Sequence, residues 1–182
     1  NFSHRTDWHR QQNRLTEALE RRRKSGKPIY DLTNSNPTEC GFDYPDHDIL
    51  SAIAKPDSLH YQPDPRGLLL TRQIIASLYQ IKGAQVDPLD IFLTASTSEA
   101  YSLIFKLLCN TDDSVVVPMP SYPLFDYLVR ANDVSTEQYR LFYDQGWHID
   151  IASLAAVISP RSKAIVLINP HNPTGMFLKK PE

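Results

Sequence analysis

The sequence contains little of what several protein classes depend on. It has only two cysteines, Cys40 and Cys109, far apart and in no metal-ligand spacing, a scarcity that suits a reducing cytoplasm. Its six glycines are scattered singly, so no glycine-rich dinucleotide or P-loop motif is present. No apolar run approaches the length of a membrane span, and no signal peptide opens the sequence. We therefore expect a cytoplasmic protein without a metal site or a membrane partner.

The charge of the chain also lacks a strong bias. Nineteen basic and 21 acidic residues give a net charge of −2, which offers no electrostatic case for nucleic acid binding. One basic run, 21–24, falls at the end of a predicted helix, where cations complement the helix dipole, and a solvated helix end is the favoured interpretation. With 41% hydrophobic residues, the 182-residue chain is long enough for a globular domain.

Hydrophobic periodicity predicts an α/β fold, with a mostly parallel sheet and helical crossovers. The predicted strands are 91–94, 114–118, 134–139 and 164–168. The predicted helices are 7–24, 48–54, 68–81, 97–108, 124–131 and 151–158.

Ligands bind beyond the carboxyl ends of strands in such sheets, so the residues after each strand are candidates for a site. Ser96, Thr97 and Ser98 follow the first predicted strand, and Glu99 completes a capping box with Ser96. Their hydroxyls and the unpaired N–H groups of the helix start form a candidate anion site, although an ordinary helix cap has the same pattern. Tyr122 follows the second strand between two prolines. The prolines stiffen this loop and present the ring to a ligand, or the tyrosine is a simple packing residue.

The last predicted strand leads into Asn169-Pro-His-Asn-Pro-Thr-Gly175. The prolines disfavour helical geometry in the residues before them, and Gly175 allows a positive φ, so the loop holds Asn172 in one direction. A proline-rich turn without a ligand is the alternative interpretation. His171 receives no chemical role, because a lone loop histidine is usually at the surface or behind the residues that contact a ligand.

This loop resembles the signature loop of the class I/II aminotransferases, which are fold type I enzymes that use pyridoxal 5′-phosphate. The resemblance implies that Ser96, Thr97 and Ser98 bind the cofactor phosphate. It further implies that Tyr122 stacks on the pyridine ring and that Asn172 binds the 3′ oxygen.

Two further segments resemble elements of the same family. Tyr61, six residues before Gly67, is similar to a tyrosine that reaches the phosphate of the neighbouring subunit, which implies a homodimer with a shared active site. The loop Asn34-Ser35-Asn36-Pro37 is similar to the one that closes on the substrate carboxylate, which implies substrate contacts for Ser35 and Asn36.

The resemblance runs from about Tyr30 to the end of the sequence and implies two domains. Residues 1–46 are expected to form an N-terminal arm and part of the small domain, and residues 47–182 the first half of the cofactor-binding large domain. In relatives the Schiff-base lysine, the aspartate of the pyridinium nitrogen and the carboxylate-binding arginine all lie further along the chain. We therefore assign no catalytic residue and expect the N-terminal portion of an aminotransferase, inactive by itself.

The implied reaction transfers an amino group between an amino acid and a 2-oxo acid. A carbon–sulfur lyase or an aminocyclopropane-carboxylate synthase would share these motifs and remains an alternative. A non-catalytic interaction module derived from the family is another. An unrelated phosphate-binding α/β domain is disfavoured by the lack of a glycine-rich motif.

Overall fold

A computed structural model describes residues 2–6, 12–33 and 36–179 of the chain. The chain divides into two compact units, one formed by residues 1–9 with 94–182 and the other by residues 10–93. The domain boundary that we expect after residue 46 stays a prediction.

The unit formed by residues 1–9 with 94–182 contains the sheet. Its strands are β1 (Ser114–Met119), β2 (Ser135–Tyr143), β3 (Trp147–Ile149) and β4 (Ser162–Ile165). The described α-helices of the chain are α1 (Arg14–Lys24), α2 (Asp46–Ile53), α3 (Leu69–Ile81), α4 (Thr97–Leu108), α5 (Phe125–Ala131) and α6 (Ile151–Val157). Short 3₁₀ turns lie at His4–Thr6, Pro37–Glu39, Pro56–Leu59 and Pro88–Asp90.

The four strands form one sheet in the order β3-β2-β1-β4. Strand β1 pairs in parallel with both β2 and β4, and β3 joins the edge antiparallel to β2. The helices α5 and α6 lie in the connections that lead to β2 and β4. The predicted α/β fold with a mostly parallel sheet is confirmed.

Strand β1 is the centre of the core because both of its faces are covered. Val115 and Val117 belong to a cluster with residues of α4 and α5, whereas Val116 belongs to a cluster with β2 and β3 on the other face. This division follows from the alternation of side chains along a strand. All three valines are 1% exposed or less, and each contributes about 1.5–3 kcal/mol by leaving water.

The predicted strand at 91–94 is wrong, since these residues belong to no strand and have no sheet partner among the described residues. Within the described ranges, one backbone hydrogen bond joins them to another segment, from the Leu93 N–H to the Arg66 carbonyl at 2.9 Å. The predicted strand at 164–168 also changes, because β4 ends at Ile165. One further bond, from the Val166 N–H to the Val116 carbonyl at 2.8 Å, continues its pairing with β1.

The sequence prediction missed β3 and the hairpin that joins it to β2. Gln145, with a φ of +49°, and Gly146 form the turn, and the Asp144 N–H donates to the Gly146 carbonyl at 2.8 Å. The extension of β2 to Tyr143 places Leu141 in the core. A Gly-containing turn between apolar, aromatic-rich segments was the available signal for this hairpin.

Most predicted helices are confirmed within one or two residues, but the first begins later than predicted. Helix α1 starts at Arg14, where the Asn13 side-chain oxygen accepts a hydrogen bond from the Thr16 N–H at 2.8 Å and caps the first turn. Residues 7–11 of the predicted helix lie outside the described residues.

Candidate functional site

Two of the three predicted ligand segments follow neighbouring parallel strands. Tyr122 comes three residues after β1, and the loop with Asn172 follows β4, which pairs directly with β1. Because parallel strands end at the same edge of a sheet, both segments leave the sheet at its carboxyl edge. The fold therefore brings these two predicted site segments to one side of the molecule.

The third segment is the start of helix α4. The Ser96 Oγ accepts a hydrogen bond from the Glu99 N–H at 3.2 Å, so the predicted cap is present. In the described part of the chain, no acceptor pairs with the backbone N–H groups of Thr97 and Ser98. The helix start thus presents two N–H donors and three hydroxyl groups to an anion.

Glu99 closes the capping box one residue earlier than the usual pattern. Its Oε2 accepts from the Ala95 N–H at 2.6 Å, where a standard capping box uses the N–H of the cap residue itself. This carboxylate also adds a negative charge at the helix start, so it opposes the electrostatic attraction of an anion to the Thr97 and Ser98 donors. The cap therefore stabilises the helix and at the same time weakens the attraction of its start for any anion.

Aromatic rings connect the start of α4 with the segment after β1. Tyr101, one turn into α4, lies edge-to-face with Phe125 at a centroid distance of 4.9 Å. Phe125 in turn contacts Tyr122 edge-to-face at 6.3 Å. Tyr122 is half-buried at the margin of the core, so its ring packs on Phe125 and keeps part of its surface accessible. These contacts place the start of α4 and Tyr122 on the same side of the sheet.

The loop after β4 is a compact turn that exposes Asn172. The His171 N–H donates to the Met176 carbonyl at 2.7 Å, and the Gly175 N–H donates to the His171 carbonyl at 2.6 Å. Gly175 has a φ of +71°, as the sequence predicted. Asn172 is exposed at the tip, whereas Met176 is buried in the core cluster of Val116. The loop is thus anchored at its base and presents the amide at its tip.

His171 differs from the usual loop histidine, because it is only 4% exposed. Its Nδ1 lies 2.8 Å from the Thr174 Oγ1, while its buried Nε2 has no hydrogen-bond partner among the described residues. Burial lowers the pKa of this imidazole. The sequence alone gave it no role, since burial of a loop side chain depends on packing that the sequence pattern does not reveal.

Tyr61 belongs to the other compact unit, where it is 89% exposed. The segment that follows it is held by the buried side chain of Arg72 on α3. Arg72 donates from Nε to the Gly67 carbonyl at 2.9 Å, from one terminal nitrogen to the Pro88 carbonyl at 2.7 Å, and from the other to Asp64 at 3.0 Å. An exposed tyrosine on a fixed loop can contact a second molecule.

Arg72 was missed by the sequence prediction. It is 3% exposed and lies four residues before Ala76, the other buried residue of α3. A charged side chain on the inner face of a helix was the available signal, because such a residue must find partners inside the protein.

Asn36 uses its side chain locally. Its Oδ1 accepts from the Thr38 N–H at 3.1 Å and from the Thr38 hydroxyl at 2.8 Å, and its Nδ2 donates to Glu39 at 3.1 Å. These bonds cap the turn Pro37–Glu39. Ser35, the other predicted substrate contact, lies outside the described residues.

Two described lysines of the sheet unit lie near other groups. The Lys163 Nζ is 3.6 Å from Asp113, just before β1, at the amino edge of the sheet. The Lys179 Nζ lies 3.2 Å from the His148 ring. Within the described ranges, no helix is long and apolar enough to span a membrane, and no group of three or more potential ligands could hold a metal ion.

Comparison with known proteins identifies the family. The family model for aminotransferase class I and II matches residues 29–182. A glutamate-pyruvate aminotransferase from Haemophilus influenzae is 34% identical over 167 residues, which are 90% of this chain and 41% of that protein. An alanine aminotransferase from Mycobacterium tuberculosis is 34% identical over 155 residues, which are 82% of this chain and 35% of that protein.

Solved structures of aminotransferases also resemble this chain. An alanine aminotransferase from Pyrococcus furiosus superposes with a TM-score of 0.77 at 31% identity, over 92% of this chain and 43% of that one. A Thermus thermophilus aspartate aminotransferase double mutant gives a TM-score of 0.81 at 25% identity, over 100% of this chain and 48% of that one. The fold is that of an aminotransferase. The chain belongs to the class I and II aminotransferase family, and it spans about two fifths of the length of the curated relatives that it matches.

Proposed function

We propose that this chain supplies the cofactor-binding part of a pyridoxal-phosphate-dependent aminotransferase. The observation that supports this most is the arrangement at the carboxyl edge of the sheet. There the start of α4, the half-buried ring of Tyr122 and the exposed amide of Asn172 lie on the segments that the sequence predicted. An anion site, an aromatic surface and an oriented amide are three of the groups that the family resemblance assigns to this cofactor.

The phosphate is assigned to the start of α4. The N–H groups of Thr97 and Ser98 and the hydroxyls of Ser96, Thr97 and Ser98 are the donors. The Ser96 hydroxyl accepts the Glu99 N–H through a lone pair, so its own proton can still be donated. This donor set fits a phosphate, although Glu99 lowers the attraction.

The ring of the cofactor is assigned to Tyr122 and its 3′ oxygen to Asn172. The bound cofactor supplies an electron sink for the amino group transfer. Tyr122 orients it by stacking, and Phe125 supports the tyrosine edge-on. The Asn172 side-chain N–H₂ would donate a hydrogen bond to the 3′ oxygen.

The neighbouring subunit is assigned a contribution through Tyr61. Its 89% exposure suits a hydroxyl that donates to the phosphate bound by the partner, in a homodimer with shared sites. Ser35 and the backbone N–H groups near Asn36 are assigned to the substrate carboxylate, because the Asn36 side chain is occupied by its own turn. The dimer remains a prediction from the resemblance, and the cytoplasmic location remains a prediction from the scarcity of cysteine.

We propose alanine with 2-oxoglutarate as the first substrate pair to test, because several relatives are named alanine or glutamate-pyruvate aminotransferases. The protein should be expressed from its natural reading frame and incubated with single amino donors and 2-oxo acids. We expect stoichiometric alanine consumption and glutamate formation by mass spectrometry. Release of ammonia without a 2-oxo acceptor would favour the lyase alternative. No conversion with any donor would contradict the aminotransferase assignment.

The role of Asn172 has a direct test with a matched control. In the same protein, Asn172→Ala removes one hydrogen bond to the cofactor, so we expect about tenfold weaker pyridoxal phosphate affinity. Asn110 is also an exposed loop asparagine, but it lies between α4 and the start of β1, near the opposite edge of the sheet. Asn110→Ala should leave the affinity unchanged, and equal affinities of the two variants would contradict the assignment.

A further inference from the structure

The turn that exposes Asn172 depends on the residue beside it. Four described hydrogen bonds close the segment from His171 to Met176, and three of them use atoms of His171. They are the bond from its N–H to Met176, the bond from Gly175 to its carbonyl, and the contact of its ring with Thr174. His171 is therefore the residue around which the turn is built.

The ring of His171 fixes Thr174 as well. The Thr174 Oγ1 lies 2.8 Å from the His171 Nδ1 and accepts the Met176 N–H at 3.3 Å. One hydroxyl therefore joins the imidazole to the backbone on the far side of the turn. Asn172 and Pro173 lie between these two residues and have no other anchor of this kind in the described part of the chain.

Stability alone does not account for a histidine at this position. The Nε2 is buried without a hydrogen-bond partner among the described residues, and burial of an unsatisfied polar atom costs free energy. An apolar ring of similar volume would fill the same space without this cost. Burial also keeps the imidazole neutral near pH 7, because it lowers the pKa.

We propose that His171 is a positioning residue that orients Asn172 towards the cofactor through its Nδ1 contact with Thr174. This inference rests on the proposed function, because it requires that Asn172 binds the 3′ oxygen. It assigns His171 no contact with the cofactor or the substrate. The effect of a change at His171 must therefore pass through Asn172.

A double-mutant cycle tests this dependence. The protein from the natural reading frame is prepared as wild type, Asn172→Ala, His171→Phe and the double variant. Two quantities are measured: the dissociation constant of pyridoxal phosphate and the pH at which the visible absorption of the bound cofactor changes. We expect His171→Phe alone to weaken affinity about threefold to tenfold and to shift that pH in the same direction as Asn172→Ala. In the Asn172→Ala background, His171→Phe should change neither quantity.

Thr174 supplies the control pair and a second route if His171→Phe does not fold. Thr174→Val removes the hydroxyl that holds the ring and should reproduce the effects of His171→Phe. Thr174→Ser keeps the hydroxyl and should resemble wild type. Thermal unfolding of each variant without cofactor shows whether the turn is merely destabilised.

The outcomes separate this inference from the proposed function. If Asn172→Ala itself changes neither quantity, the cofactor role of Asn172 fails, and the inference fails with it. If Asn172→Ala has its effect while the His171 and Thr174 variants have none, the proposed function stands and the positioning role is wrong. Effects of His171→Phe and Asn172→Ala that add in the double variant also overturn the positioning role.

Discussion

Removal of the Arg72 side chain should strongly destabilise the unit formed by residues 10–93. Arg72 is 3% exposed, and its guanidinium donates to the Gly67 and Pro88 carbonyls and to Asp64. Arg72→Ala removes the donors of two carbonyl groups on partly buried residues. It also removes the attachment of α3 to the loop that follows Tyr61.

The size of the effect follows from the three bonds. A hydrogen bond to a charged group contributes about 1.5–3 kcal/mol, and the burial of the charge offsets part of the sum. We expect Arg72→Ala to lower the free energy of unfolding by about 3–5 kcal/mol, a large part of the typical total of about 5–15 kcal/mol. Arg72→Lys keeps the charge but has no planar fork to reach all three acceptors, so about half of the loss is expected.

Urea unfolding measures these differences, and hydrogen exchange localises them. The amides of Gly67 and Leu93, which donate to the Asp64 and Arg66 carbonyls, should exchange faster in Arg72→Ala. Arg14→Ala, at an exposed arginine of α1, is the matched control and should change stability by less than about 0.5 kcal/mol. An Arg72→Ala protein within about 1 kcal/mol of wild type would refute the reasoning.

Three further predictions concern substitutions at Gly67, Tyr139 and His171. Gly67→Ala places a Cβ 2.6 Å from the Leu93 Cβ at a φ of +86°, so it should lower the free energy of unfolding, measured in urea, by about 2 kcal/mol or more. The control Gly26→Ala also has a positive φ, +65°, but its Cβ meets no neighbouring atom, so it should cost only the backbone strain. Tyr139→Phe loses the buried hydrogen bond of its hydroxyl to a carbonyl and should cost about 1–2 kcal/mol, and ultraviolet titration should assign the lost tyrosine a pKa of about 12. The pKa of His171 lies below its ordinary value of 6.5, so on acidification the unfolded chain takes up this proton at a higher pH than the folded protein does. The free energy of unfolding should therefore fall as the pH drops below about 6.5, and His171→Phe should remove this contribution.

The regular elements were the most predictable part of the fold. Helix 97–108 was predicted with its observed bounds, because Ser96 and Glu99 mark its start and apolar residues recur with helical spacing. Strand β1 was predicted within one residue, because a run of valines between turn residues indicates a strand with two buried faces. The segment 91–94 has a similar apolar composition but pairs with no strand among the described residues, and composition does not reveal pairing.

The candidate site was predictable where turn chemistry fixes the backbone. The prolines and Gly175 indicated the loop that presents Asn172, and that loop is present. The role proposed for His171 rests on its burial and on the Thr174 contact, which arise only when the loop folds onto the core. The hydrogen bonds of the Arg72 side chain join it to residues 64, 67 and 88. No local sequence pattern indicates which distant carbonyls a buried guanidinium will bind.

A crystal structure with pyridoxal phosphate, determined on the protein from its natural reading frame, tests the central claim most directly. We predict electron density for the phosphate at the N–H groups of Thr97 and Ser98. The pyridine ring should lie against Tyr122, and the 3′ oxygen should be within hydrogen-bond distance of the Asn172 amide. Density for the cofactor at another place in the protein, or none at saturating concentration, would contradict the account.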